Sequence, residues 1–231
     1  MTIVISGATG GVGVAITKKF AQKGYDIIAL GRDTKKLKKI RNFIRKDYGV
    51  NIQYYYCDIN VKSSVINSIE SIVDTLDSVS LLINAAGVFP VVAVQNTDEN
   101  IYDSCMDVNM KLPFILSRGL FKVLKNNNGG KVINIGSSSS YAGFKNTAIY
   151  CASKHAILGY SRALNDEWKE YGITVHCISP GTIDTSMANV LDQDSSTYIT
   201  TEEFAELVYD INKYNGNMLI DEIRAVRRVV R

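Results

Sequence analysis

The hydrophobic positions of this chain gather into short apolar blocks separated by longer amphipathic stretches. The blocks fall near residues 2–6, 25–30, 51–56, 79–84, 130–136 and 173–178, and they predict strands. A short apolar run with little polar alternation is the pattern of a strand buried on both faces. Between the blocks, apolar residues recur at helical spacing over about 12–23, 34–47, 61–76, 98–125 and 148–171, the fourth either continuous or broken. Regular alternation with short links predicts an α/β fold, a parallel sheet with helices on both faces. Gly129 and Gly130 end the long fourth helix before the fifth strand. No repeat or linker divides the chain, so residues 1–231 read as one domain. The serine run Ser137–Ser140 directly follows a buried strand and reads as a site loop rather than a linker.

Two places along this pattern carry chemistry. Between the first strand and the first helix stands Gly7-Ala8-Thr9-Gly10-Gly11-Val12-Gly13. Glycines there let the backbone approach a pyrophosphate closely, and the amides of a helix N-terminus favour an anion. An ordinary tight turn is the alternative; the position in an alternating chain favours a dinucleotide. The second place is Tyr150-Cys151-Ala152-Ser153-Lys154, with Ser137 thirteen residues upstream at a strand end. Residues four apart share a helix face, so Tyr150 and Lys154 can address one small volume. A phenol has an unperturbed pKa of about 10, and a neighbouring ammonium favours its ionised form. A hydroxyl from Ser137 would then hold or polarise a carbonyl oxygen. Taken alone, the pair also fits an amphipathic helix with an exposed lysine.

Together these residues resemble the short-chain dehydrogenase/reductase family. Ser6-Gly7 with Gly11-Val12-Gly13 is similar to its cofactor turn, and Asn84-Ala85-Ala86-Gly87 to the motif after its fourth strand. Asn109, Ser137, Tyr150 and Lys154 match its catalytic tetrad. Pro180-Gly181-Thr182-Ile183-Asp184-Thr185 resembles the segment that contacts the nicotinamide carboxamide. Gly7, Gly10 and Gly13 also fit the turn of the extended branch, but the length and the Asn84–Gly87 segment point to the short, single-domain branch. The resemblance implies a Rossmann-type, doubly wound, mainly parallel seven-stranded sheet, completed by a helix near 201–213 and a strand near 217–226. It implies catalytic roles for Asn109, Ser137, Tyr150 and Lys154, with Lys154 lowering the Tyr150 pKa and Asn109 holding a water. It further implies cofactor contacts from Gly7, Thr9, Gly10, Gly11, Val12, Gly13, Asn84, Ala85, Ala86, Gly87, Tyr150, Lys154, Pro180, Gly181, Ile183 and Thr185. Asp58, with Ile59 beside it, matches the aspartate that binds the adenine amine.

The end of the second strand bears on the choice of cofactor. Where an NAD site needs a carboxylate for the ribose hydroxyls, this chain has Gly31, followed by Arg32. A guanidinium can grip a 2′-phosphate with paired hydrogen bonds, so NADP(H) is expected over NAD(H). A shift of register would bring the Asp33 carboxylate toward the ribose instead. Lys35, Lys36, Lys38 and Lys39 add positive potential or simply form a solvated face.

Composition narrows the picture further. The chain is 46% hydrophobic and 21% charged over 231 residues, enough to bury one large core. A net charge of +3, spread out, points to neither nucleic acid nor membrane partners. No apolar stretch approaches a spanning length, and the chain opens directly on a core strand, so no signal segment is expected. Cys57, Cys105, Cys151 and Cys177 show no metal or secreted spacing and suggest free thiols in a cytoplasmic protein. His155 and His176 are the only histidines, which excludes a multi-histidine metal site. Val88, Phe89, Tyr141, Phe144, Met187 and the segment through Tyr198 form an apolar and aromatic pocket set, suited to a ketone or 3-oxoacyl substrate. Relatives that reduce acyl chains on a carrier protein offer arginines where this chain has Asn128 and Tyr171, with Lys125 and Lys131 nearby. The ending, Ile220 to Arg228, departs from the family's usual terminus, which favours a homodimer through the two long helices over a homotetramer. A basic tail can be solvated or meet a partner. A catalytically idle NADP(H)-binding regulator or scaffold is the alternative function class.

Overall fold

In the computed structural model, residues 1–127, 129–191, 194–216 and 218–228 are described. Among these described residues seven strands form one parallel sheet: β1 (Thr2–Ser6), β2 (Asp26–Gly31), β3 (Ile52–Tyr56), β4 (Leu81–Asn84), β5 (Lys131–Ile135), β6 (Thr174–Pro180) and β7 (Glu222–Ala225). Their spatial order is β3-β2-β1-β4-β5-β6-β7, so the winding reverses between β1 and β4. Ser6 pairs with Leu30 on one side and with Asn84 on the other, which opens a crevice beyond the carboxyl ends of β1 and β4. That switch point is where an open α/β sheet binds its ligand.

Seven α-helices among the described residues cover the two faces: α1 (Gly11–Gln22), α2 (Thr34–Tyr48), α3 (Lys62–Thr75), α4 (Glu99–Met106), α5 (Leu112–Lys125), α6 (Ala148–Trp168) and α7 (Thr201–Lys213). Each strand residue that faces one side is two positions from the next, so the sheet feeds two cores. Ile3, Ile5, Ile27 and Ala29 pack with Ile16, Phe20, Leu37, Phe204 and Val208 of α1, α2 and α7. Val4, Ile28, Leu30 and Val132 pack on the other face with Val65, Leu116, Leu120, Leu164 and Trp168 of α3, α5 and α6. Local chemistry sets the helix ends. Asp33 caps α2 by accepting from the Lys36 amide at 2.9 Å, and Gly49 closes it in the left-handed region at φ +68°. Thr200 and Glu203 form a reciprocal capping box on α7.

The expected elements are all present, with shifts of up to a few residues at most boundaries, and the last strand is shorter than the expected 217–226. The stretch 98–125 is broken. Between α4 and α5 the backbone widens into a π-helical turn, Asp107–Lys111, in which the Leu112 amide reaches back five residues to the Asp107 carbonyl. Pro113 supplies the reason: it has no N–H to give the Asn109 carbonyl in regular α-helical register. Among the described residues no helix is long and apolar enough to cross a membrane.

Candidate active site

The turn after β1 is built from close backbone approaches that only glycine permits. Gly7 sits at φ +70°, and a Cβ there would lie 2.6 Å from the Ala86 backbone. A Cβ on Gly13 would stand 2.1 Å from the Gly7 carbonyl oxygen, so α1 rests directly on the turn. Gly11 meets the Thr185 side chain, with 2.8 Å left for a Cβ. The N-terminus of α1 has Gly10 as its cap, no side-chain cap bond and no acidic residue in its first turn. Its amides and partial positive charge therefore face the crevice without a competing protein anion. These residues fit a pyrophosphate.

Ser137, Tyr150 and Lys154 come from two adjacent elements. Ser137 follows β5 and heads a one-turn 3-10 helix, Ser138–Ser140. Its hydroxyl accepts from the Ser139 amide at 3.1 Å, and the Ser140 hydroxyl accepts from the Ser137 amide at 3.1 Å. This reciprocal cap fixes the serine run. Tyr150 lies in the first turn of α6 and Lys154 one turn later; the two are only 9% and 6% exposed. The Phe89 ring packs edge-on against the Tyr150 ring, with centroids 4.5 Å apart.

Burial dominates the electrostatics of this pair. It pushes the Tyr150 phenol up to about 12, against the opposing effect of a hydrogen bond with Ser137. It also pulls the Lys154 ammonium down to about 8, offset in part by the thiols of Cys177 and Cys105. Spacing alone suggested that Lys154 would lower the phenol. In this structure the loss of solvent outweighs that attraction, and Lys154 Nζ donates to the Ile135 carbonyl at 2.8 Å.

Two of the expected catalytic and cofactor residues stand outside the crevice lining. Asn109, on the π turn, is 2% exposed and acts as a clamp. Its Oδ1 accepts from the Val88 amide at 2.9 Å, and its Nδ2 donates to the Val88 carbonyl and the Ser153 hydroxyl, both at 3.0 Å. Ser153 in turn donates to the Tyr150 carbonyl at 2.7 Å. The Asn109 side chain thus links the Val88 loop to α6. Asn84 turns into the core, giving its amide hydrogen to Asn134 at 2.8 Å, which donates to Ser161 at 2.8 Å. The parallel pairing Asn84↔Asn134 makes this chain of amides possible.

The remaining expected residues line one crevice of about 740 Å³, among them Thr9, Gly10, Val12, Arg32, Asp58, Ile59, Ala85, Gly87, Pro180, Gly181 and Ile183. At its far end Arg32 and Lys36 stand beside Gly31. Asp33 lines this end too; its Oδ1 takes the α2 cap bond and its Oδ2 lies 3.9 Å from the Lys36 ammonium. Of the apolar pocket set, Val88, Phe89, Phe144 and Met187 line the crevice, whereas Tyr141 and Tyr198 do not. Leu191, within the expected segment from Met187 to Tyr198, lines it too; sequence reasoning missed Val91 and Lys145, which lie in loops without a periodic pattern. Lys131 is no free cation: its ammonium donates to the Asn212 and Tyr214 carbonyls, each at 2.6 Å, and so caps α7. Lys125 sits 4.7 Å over the Tyr171 ring. Asn128 lies outside the described residues.

Comparison with known proteins agrees with this architecture. Residues 1–196 match the family model described as short chain dehydrogenase. The 3-oxoacyl-[acyl-carrier-protein] reductase FabG of Rickettsia felis is 34% identical over 192 residues, 83% of this chain and 76% of that protein. An uncharacterized oxidoreductase of Staphylococcus epidermidis is 29% identical over 207 residues, 89% of this chain and 87% of that one. Among solved structures, an alcohol dehydrogenase from the archaeon Thermococcus sibiricus, complexed with 5-hydroxy-NADP, superposes with a TM-score of 0.89. It shares 22% identity, with 98% of this chain and 95% of that chain covered. A putative NAD(P)-dependent gluconate 5-dehydrogenase from Beutenbergia cavernae, with bound NADP at low occupancy, gives 0.85 at 25% identity, covering 97% and 94%.

Proposed function

The chain belongs to the short-chain dehydrogenase family, and from that premise we propose that it is an NADP(H)-dependent reductase of a ketone or 3-oxoacyl substrate. The observation that carries this reading is the crevice itself, which joins the glycine turn and Arg32 at one end to Ser137, Tyr150 and Lys154 at the other. A bound nicotinamide would supply the hydride, and that chemistry is the cofactor's own. The protein's part is proton supply and orientation. Tyr150 gives its phenolic proton to the carbonyl oxygen as negative charge develops there. Ser137, held by its reciprocal cap, donates to the same oxygen and keeps it in place. Lys154 supports the proton donor from one turn away, its ammonium held at the Ile135 carbonyl. Phe89 keeps water from the phenol on the substrate side.

Arg32 and Lys36 favour a 2′-phosphate, and one oxygen of Asp33, the carboxylate that would favour a bare ribose, is committed to the α2 cap. The acyl-thioester arm of the reading draws on the relative from Rickettsia felis, named as a 3-oxoacyl reductase. The reading includes a cytoplasmic location and a homodimer through α5 and α6. There Phe121 packs on Trp168 and Tyr171, at 5.0 and 5.1 Å between centroids, and Phe114 is 40% exposed. The test is NADPH and NADH oxidation against a panel of ketones and an acetoacetyl thioester, with Tyr150→Phe beside the wild type. NADPH-dependent turnover that falls about 10²–10⁴-fold in the variant, with NADPH binding kept, is the expected result. NADPH binding without turnover of any carbonyl would instead favour a regulator or scaffold, and turnover that survives the substitution would remove Tyr150 from its role.

A further inference from the structure

Within residues 218–228, the basic side chains of Arg224 and Arg227 are engaged with the body of the protein. β7 is the outer strand and pairs over only four positions, from Cys177↔Glu222 to Pro180↔Ala225. Side chains reinforce it. The Glu222 carboxylate, 7% exposed, lies between Arg162 of α6 at 3.0 Å and Arg224 at 3.3 Å. The Arg224 guanidinium is 4.2 Å from the ring centre of Tyr141, in the loop that follows Ser137. Beyond the strand, the Gly181 amide donates to the Ala225 carbonyl at 2.7 Å. Arg227 then crosses Gly181 so closely that a Cβ there would meet its amide nitrogen and its Cγ at 3.4 Å. Its Nη1 donates to Thr197 Oγ1 at 3.2 Å, and its guanidinium lies 5.8 Å from the Tyr198 ring centre.

These contacts land on both arms of one loop, which leaves β6 at Gly181 and returns to α7 at Thr200. The arms are joined by a parallel bridge between Ile183 and Ile199. The Ile199 amide donates to the Thr182 carbonyl at 3.0 Å, and the Asp184 amide to the Ile199 carbonyl at 2.9 Å. Ile183, Met187 and Leu191 of this loop line the crevice, and Thr185 packs on Gly11 of the glycine turn.

We propose that Arg227 is a positioning residue: it straps the two arms of the loop together so that the loop holds its place as a wall of the crevice. Arg224 does the same for the loop carrying Tyr141. Neither arginine lines the crevice, so the effect is on shape, not on the reacting atoms. A hydrogen bond and a cation–π contact together shift the population of the ordered loop by about tenfold. When the binding-competent state becomes rarer, apparent affinity falls in proportion while the step after binding is unchanged. The kinetic form of this prediction rests on the reductase reading; the structural form does not.

The experiment compares wild type, Arg227→Ala and Arg227→Lys as full chains, by steady-state kinetics with NADPH and the best carbonyl substrate and by amide hydrogen exchange. In Arg227→Ala the carbonyl KM should rise about tenfold with kcat within about twofold, and amides of 181–200 should lose protection by a similar factor. Arg227→Lys, which keeps the charge and the stem, should recover part of both. A lowered melting temperature with unchanged KM would overturn the proposal and make Arg227 a packing residue only, and so would a fall in kcat with KM constant. If the wild type reduces no carbonyl, the reductase reading fails, and exchange alone decides: unchanged protection over 181–200 in Arg227→Ala then refutes the strap.

Discussion

Replacing Asn109 with alanine tests whether the π turn is held by the clamp described above. The substitution removes three hydrogen bonds of ordinary length, two to the Val88 backbone and one to Ser153, and a weak contact to Cys105 at 3.5 Å. Each ordinary bond contributes roughly 0.5–1.5 kcal/mol net, and a buried group left without a partner costs more. Val88 is half-buried, so water can reach part of what is freed, whereas Ser153 is fully buried and keeps its bond to Tyr150. The balance is a loss of about 3 kcal/mol, large against the 5–15 kcal/mol of a typical domain. With a urea slope of roughly 3 kcal/mol per molar, the unfolding midpoint should fall by about 1 M. Asn109→Asp sharpens the test, because it keeps an acceptor for the Val88 amide but sets a carboxylate against the Val88 carbonyl. That variant should be no more stable than the alanine variant at neutral pH and should regain stability as the pH is lowered. The readout is urea unfolding followed by circular dichroism. A midpoint within about 0.2 M of wild type in both variants would refute the clamp, since the loss of three hydrogen bonds, one of them fully buried, should cost more than that.

Four further outcomes follow from the geometry. The value of kcat/KM for NADPH, which reports groups of the free enzyme, should fall with rising pH around about 8 as Lys154 loses its proton, while Tyr150 stays protonated toward about 12; a single descending limb near 10 would contradict it. In folding, the same lysine binds fewer protons in the native than in the unfolded state between about 8 and 10.5, so it makes stability rise with pH there. Arg32→Ala should weaken NADPH binding by about tenfold or more while leaving NADH binding within about threefold, as fluorescence titration would show; equal losses for both would exclude a 2′-phosphate contact. Lys131→Met should destabilise the fold by about 1–2 kcal/mol by uncapping α7, seen as a lower thermal midpoint with unchanged NADPH affinity.

Sequence made the fold legible because a buried parallel strand writes itself as an apolar block and a helix as a 3.6-residue period. The glycine turn was equally open to reading, since Gly7 and Gly13 sit where a single added carbon would strike backbone. The break at Asp107–Lys111 had a local mark, Pro113, which explains it once the register is known. What was not legible depends on partners far along the chain. The core contact of the Asn84 side chain is one example: only the β4–β5 register sets it against Asn134. Lys131 looks like a surface cation until the chain returns through α7 and places two carbonyls on it. Arg227 has no pattern at all, and only the packing of the last residues over Gly181 makes it a contact of the crevice wall.

The Tyr150–Lys154 pair shows where this difference reaches the chemistry. Helical spacing correctly put the two on one face, and from charge alone the lysine should make the phenol a stronger acid. That inference treats the pair as solvated. Phe89, distant in sequence, closes over the Tyr150 ring at 4.5 Å, and the sheet and α6 bury the ammonium. Removing water penalises both charged forms at once, so the phenol rises to about 12 as the ammonium drops to about 8. A phenol held in its protonated form at neutral pH is ready to give a proton rather than to take one. A protonated phenol is the form the proposed reductase reading needs, and a smaller residue at position 89, beside the ring, should readmit water and lower its pKa toward the ordinary value.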